Sequence, residues 1–229
     1  MKNKVVLITG ANGGLGNAVT EAFLKAGATV AGASRQISQD EFKKPNFHAF
    51  PAELSTLAAA KKLAEDVVQR CGKIDVLVHL IGAFAAAGTI GETDDATWQK
   101  MLDLNLNSTF HVVRAVLPHI RKTRGGRILA IGSRMAVEPQ RGIGAYQVSK
   151  SALVALIRTL ALENKDLGIT ANIVLPDTMD TPANRAAMPK ADTSKWVQPA
   201  AVADLLVALA GPAGVAVSSA VIPVYGPNV

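Results

Sequence analysis

Tyr146 and Lys150 lie four residues apart in a stretch of helical periodicity, a spacing that stacks both side chains on one helix face. A phenol ordinarily keeps its proton to about pH 10, but a neighbouring ammonium favours the phenolate and lowers that value. A tyrosine so placed can pass a proton near neutral pH. Taken alone, the pair is also what an ordinary exposed helix carries. Ser133, thirteen residues before Tyr146, adds weight to the chemical reading. It stands at the C-terminal end of an expected strand, where open α/β sheets place their ligands.

A second constellation opens the chain. Thr9-Gly10-Ala11-Asn12-Gly13-Gly14-Leu15-Gly16 follows a short β-branched run and precedes a helical period. Backbone amides approach a pyrophosphate closely only where side chains are absent, and a helix N-terminus favours negative charge. Glycines at 10, 14 and 16 in a strand-to-helix turn meet that need, with Asn12, Gly13 and Leu15 in the same turn. The bland alternative is a tight turn with close helix packing. About twenty residues after Gly14, where an acid would meet a free ribose 2′-hydroxyl, the chain has Ser34 and Arg35. A hydroxyl and a planar guanidinium suit a 2′-phosphate, so NADP(H) is favoured and NAD(H) stays open. Arg35 pointing into water is the competing reading.

Alternating elements must position these residues. Strands are expected at 4–9, 29–33, 47–50, 74–81, 127–131, 169–174 and 220–224, and helices at 15–26, 55–70, 94–122, 146–164 and 200–210. Parallel strands need crossover helices, so the alternation implies a single-domain doubly wound α/β Rossmann fold over 1–229. Its sheet is expected to be mostly parallel and seven-stranded, with helices on both faces. Residues 176–199, rich in Pro, Thr, Asp and Met, read as a substrate loop or lid.

Composition bounds the rest. The 229 residues are 49% hydrophobic and 18% charged, enough apolar surface for a packed core. The longest apolar runs are too short to span a bilayer and the N-terminus has no export signal, so a protein free of membranes is expected. Cys71 is the only cysteine, which precludes an internal disulfide or a cysteine-built zinc site and fits a cytoplasmic compartment. No metal is expected. The net charge of +6 suits an anionic small molecule better than nucleic acid, because the basic residues are scattered. The one dense run, 121–127, lacks interleaved aromatics and reads as a solvated helix end.

The ordered set Thr9-Gly-Ala-Asn-Gly-Gly-Leu-Gly16, Gly72-Lys-Ile-Asp-Val-Leu-Val78, Asn105, Ser133 and Tyr146-Gln-Val-Ser-Lys150 resembles the motif series of the short-chain dehydrogenase/reductase family. The resemblance implies hydride transfer between a nicotinamide cofactor and a small carbonyl or alcohol substrate. By it, Tyr146 is the proton donor or acceptor and Ser133 positions the carbonyl. Lys150 binds the nicotinamide ribose and lowers the tyrosine pKa, and Asn105 holds a water in a proton relay. Glu53-Leu54 falls beside the adenine; Gly82, Pro176, Thr178 and Thr181 fall on the cofactor. The resemblance also implies a homodimer or homotetramer joined through the long helices and the last strand; an apolar circumference on 151–162 agrees.

Two positions depart from the family pattern. His79-Leu80-Ile81-Gly82 replaces the usual Asn-Asn-Ala-Gly, and Pro176-Asp177 replaces Pro-Gly. His79 reads as a hydrogen-bonded structural group or as an acid/base. The segment 175–196 is similar to that of dihydropteridine reductases, in which Trp196 and Met188 would cover a flat substrate or anchor the loop. Reduction of a quinonoid pterin and non-catalytic nucleotide sensing therefore stand as alternatives.

Overall fold

The computed structural model describes residues 1–123 and 125–226, so Arg124 of the basic run and the last three residues of the expected domain lie outside the described residues. Seven short apolar runs form strands: β1 Val5–Thr9, β2 Thr29–Ser34, β3 Phe47–Pro51, β4 Val76–His79, β5 Arg127–Ile131, β6 Thr170–Pro176 and β7 Val221–Val224. They pair in one sheet of order β3-β2-β1-β4-β5-β6-β7, with all neighbours parallel. The order reverses between β1 and β4, the switch point at which such sheets leave a crevice.

Seven helices cover the sheet among the described residues: α1 Gly16–Lys25, α2 Leu57–Cys71, α3 Asp95–Leu102, α4 Ser108–Thr123, α5 Gly144–Glu163, α6 Pro182–Ala187 and α7 Pro199–Ala210. Because successive strand residues face opposite ways, each strand feeds two cores. Leu7, Leu77, Ile128 and Ile173 pack beneath α2, α4 and α5, whereas Ile8, Val78, Leu129 and Val174 pack beneath α1 and α7. Buried Asp75 accepts from the Val5 amide at 2.8 Å and pairs with Lys4 and Lys73, tying the start of β4 to β1.

Three elements differ from the sequence expectation. The fourth strand stops at His79, since the Leu80 amide still reaches the Thr9 carbonyl at 3.0 Å but the chain then leaves the sheet toward Gly82. The expected helix over 94–122 is broken: α3 passes into α4 through a π-turn at Asp103–Asn107, a form frequent at functional sites. The 176–199 segment carries its own order. Thr181 caps α6, Pro182 fills its first turn, and residues 179 and 197 bridge.

Candidate active site

The turn after β1 is built as its residues require. Gly10 has φ +74°, its amide donates to the Ala33 carbonyl at 2.7 Å, and Gly13 closes back on Gly10. A side chain on Gly16 would overlap the Gly10 carbonyl, and one on Gly14 would lie 2.9 Å from the Thr181 side chain. Leu15 contributes no side-chain cap and the first turn of α1 has no acid, so the positive end of the helix faces the turn uncompensated, although the Asn17 amide already donates to the Gly13 carbonyl at 3.1 Å. Asn12 is engaged elsewhere: its amide donates to the Gln36 carbonyl at 2.8 Å and to the Glu41 carboxylate at 3.1 Å.

Ser34 ends β2, and the next residue, Arg35, is 78% exposed, with Glu53 as a loose partner at 3.8 Å. Leu54 is buried in the core beneath α2. Pro176 ends β6; the Thr178 amide donates to Asp177, and buried Thr181 faces Gly14 across the crevice. The 176–199 segment is thereby seated against the glycine turn.

The proton-handling residues converge at the carboxyl ends of β4 and β5. Ser133 lies just beyond β5, and Tyr146 and Lys150 occupy the first two turns of α5. The Ser133 hydroxyl, which accepts from the Met135 amide at 3.2 Å, lies near enough to the Tyr146 phenol to pull its pKa down. Lys150 is fully buried, and Nζ donates to the Ile131 carbonyl at 3.0 Å. A Cβ on Gly82 would stand 2.9 Å from Asn105 Oδ1 and 3.0 Å from Lys150 Nζ, so only glycine leaves the lysine this position. Asn105, in the π-turn, accepts from the Ala83 amide at 2.9 Å and donates to the Ala83 carbonyl and to Ser149 Oγ at 3.0 Å each. Ser149 in turn donates to the Tyr146 carbonyl at 2.6 Å. Asn105 thus clips the chain after β4 to the base of α5.

Electrostatics here depart from the expected lowering of the phenol pKa by Lys150. Burial pushes Tyr146 up more than the Ser133 hydroxyl pulls it down, leaving a neutral phenol. The ammonium gives one of its hydrogens to the Ile131 carbonyl, and burial outweighs any help it gives the phenolate. Burial also pulls Lys150 down from 10.5 to about 8.

Two contacts were not foreseen, and a third gives His79 the hydrogen bond expected of a structural group. Phe84 meets the Tyr146 ring edge-on, centroids 5.0 Å apart, and stays 64% exposed beside it. Arg134, next to Ser133, bonds Asp177 at 2.9 Å and Glu138 at 2.6 Å. His79 meets Thr9 across β4 and β1 at 2.8 Å. No spacing signal announces the first two; Thr9 and His79 are register partners.

These features fit a dinucleotide cofactor: a glycine-rich turn, a helix start without a side-chain cap, and a buried ammonium in a cradle that a Cβ would fill. Residues 4–192 match the family model described as short chain dehydrogenase. The chain is 34% identical over 188 residues to dehydrogenase/reductase SDR family member 4 of Caenorhabditis elegans, covering 79% of this chain and 72% of that one. It is 29% identical to the 3-oxoacyl-[acyl-carrier-protein] reductase of Thermotoga maritima, across 99% and 98% of the two chains. Among solved structures, an oxidoreductase of the short-chain dehydrogenase/reductase family from Burkholderia thailandensis superposes with a TM-score of 0.87 at 30% identity, covering 99% and 92%.

Proposed function

Because the chain belongs to the short-chain dehydrogenase/reductase family, oxidoreductases acting on CH–OH and C=O groups, we propose that it reduces a ketone or aldehyde carbonyl with NADP(H) and catalyses the reverse oxidation of the alcohol. The observation that carries this reading is the convergence of Ser133, Tyr146 and buried Lys150 at the carboxyl rim of the sheet, with the Ser133 hydroxyl acting on the phenol.

When bound, the cofactor supplies the hydride. The chain's residues handle the oxygen and its proton. Ser133 Oγ and Tyr146 Oη hold the carbonyl oxygen from two sides, which orients the carbon and concentrates donors where negative charge develops. Tyr146 gives its proton to that oxygen; a phenol that is neutral in the resting protein is in the donor form. The phenolate left behind is stabilised by the Lys150 ammonium and regains a proton from water. Asn105 and Ser149 fix the backbone that carries Tyr146. In the cofactor's recognition, the turn of Gly10, Gly13, Gly14, Leu15 and Gly16 takes the pyrophosphate, together with Thr178 and Thr181. Arg35 and Ser34 take the 2′-phosphate, the basis for preferring NADP(H) over NAD(H). The chain acts in the cytoplasm as a homodimer or homotetramer, a reading supported by exposed apolar side chains on the long helices, Phe110, Val148 and Leu162.

The test is NADPH oxidation by the whole protein with diketones, aromatic ketones and a quinonoid dihydropterin. Tyr146→Phe is expected to lower turnover by at least about a hundredfold while cofactor affinity is retained. Undiminished turnover in Tyr146→Phe refutes the mechanism. Turnover of the dihydropterin alone favours the pteridine role, and binding of NADPH without any turnover favours nucleotide sensing.

A further inference from the structure

His79 is the buried polar group that the proton chemistry above leaves without a task. It ends β4, paired in register with Thr9 on β1 and Ala130 on β5. Alternation from Leu77 and Leu7 turns His79 and Thr9 toward the layer of α4 and α5, the side from which Lys150 and Asn105 enter. Across this row the imidazole neighbours the methyl side chain of Ala130. Nδ1 lies 2.8 Å from Thr9 Oγ1, whereas Nε2 is buried and meets no protein donor or acceptor. A buried ring nitrogen left in that state costs free energy, and buried waters characteristically satisfy such groups.

The tautomer follows from the surroundings. Thr9 from β1 and Ala130 from β5 carry no charge; the charge that acts on the ring is the Lys150 ammonium on α5. Burial and that ammonium hold His79 near 3, so the ring is neutral at any working pH. A neutral imidazole facing a cation turns its lone pair toward it. In the tautomer with the proton on Nδ1, donated to Thr9 Oγ1, the lone pair of Nε2 is free to accept, the arrangement that a nearby cation favours. Lys150 has three N–H donors and directs one to the Ile131 carbonyl.

We propose that His79 is a positioning residue for Lys150: Nε2 accepts a hydrogen bond from one buried water that the ammonium also holds, which fixes the lysine in place. This role rests on the function proposed above only for its kinetic consequence.

The first test therefore needs no turnover. In the cofactor-free protein, ¹⁵N NMR of the His79 ring between pH 5 and 9 is expected to show protonated Nδ1, hydrogen-bonded unprotonated Nε2, and a cross-relaxation signal from water to the ring C–H. An Nε2–H tautomer, or a ring that titrates in this range, overturns the proposal whatever the protein's reaction. The second test is kinetic. His79→Leu is expected to lower kcat on the order of tenfold with both KM values within about twofold, and His79→Asn, which restores a polar acceptor, to recover most of the rate. A His79→Leu protein with unchanged kcat and an unchanged near-ultraviolet spectrum overturns it, as does a folded His79→Asn protein as slow as His79→Leu.

Discussion

Raising the pH from 7 to 9 strips the charge from most Lys150 side chains in the free protein, and the structure gives opposite signs for two consequences. With the group at about 8, the charged fraction falls from about nine-tenths at pH 7 to about one-tenth at pH 9. Cofactor affinity and kcat/KM, both dependent on the ammonium, are expected to decline toward a tenfold loss per pH unit above 8. Stability moves the other way. Lysine in the unfolded chain titrates near 10.5, so between 8 and 10.5 the unfolded state binds more protons and folding becomes more favourable as pH rises. A shift of this size corresponds to roughly 3 kcal/mol across the whole window, of which roughly half is gained by pH 9. Lys150→Met isolates the group: it is expected to be more stable than the parent at pH 7 by roughly 2–3 kcal/mol, with the gap narrowing toward pH 10. Urea unfolding and cofactor titration, followed by tryptophan fluorescence at half-unit pH steps, read both quantities. A parent-minus-variant stability difference that stays constant from pH 7 to 9.5, or a loss of cofactor affinity with pH that is the same in Lys150→Met, refutes the reasoning.

Gly16→Ala forces a methyl into the Gly10 carbonyl; the turn must open, with a loss of stability of about 1–3 kcal/mol in thermal melts and at least a tenfold weaker cofactor titration. Arg35→Asp is expected to weaken NADPH binding by ten- to a hundredfold and leave NADH within about threefold; an unchanged preference discards the phosphate role of Arg35. Sedimentation at micromolar concentration is expected to give a dimer or tetramer, and Leu162→Asp, at a side chain 67% exposed on α5, to shift it toward monomer; a parent that sediments as monomer contradicts that assembly.

The sheet was legible because most strands are apolar runs with β-branched residues between glycines or turns; β3, Phe-His-Ala-Phe-Pro, has none and gave the weakest signal, yet all seven strands fall within a few residues of their expected places. The glycine turn, Ser133, Tyr146 and Lys150 were legible for the same reason, being tied to element ends. The π-turn at Asp103–Asn107 was not, since no glycine or proline lies in it. It forms where Asn105 reaches 22 residues back to Ala83, a tertiary contact that no local window contains. The short α6 escaped because six residues show no apolar stripe, although Thr181 followed by Pro182 is the start signal of a helix. The direction of the Tyr146 shift escaped for a different reason: spacing places Lys150 on the same helix face but cannot say that burial outweighs any help its ammonium gives the phenolate.

Both departures from the family's residue pattern sit at strand ends, and each brings its own partner. Asp177 replaces a glycine after β6 without positive φ, held by its amide on the Val224 carbonyl at 3.1 Å and by its carboxylate on Arg134 at 2.9 Å. The Arg134 guanidinium also covers the Tyr225 ring at 4.6 Å and bonds Glu138. The residue beside Ser133 is therefore braced to the ends of β6 and β7 by a partly shielded network, better placed to act than an isolated surface pair. On the other side of β5, His79 braces β4 to β1 through Thr9 beneath Lys150. Ser133 and Lys150 thus stand between two chain-specific clamps that a glycine and an asparagine at these positions would form differently. Substrate geometry specific to this protein is therefore to be sought at the Arg134–Asp177 side, next to Ser133, and the placement of the ammonium at the His79 side, where Lys150 is buried.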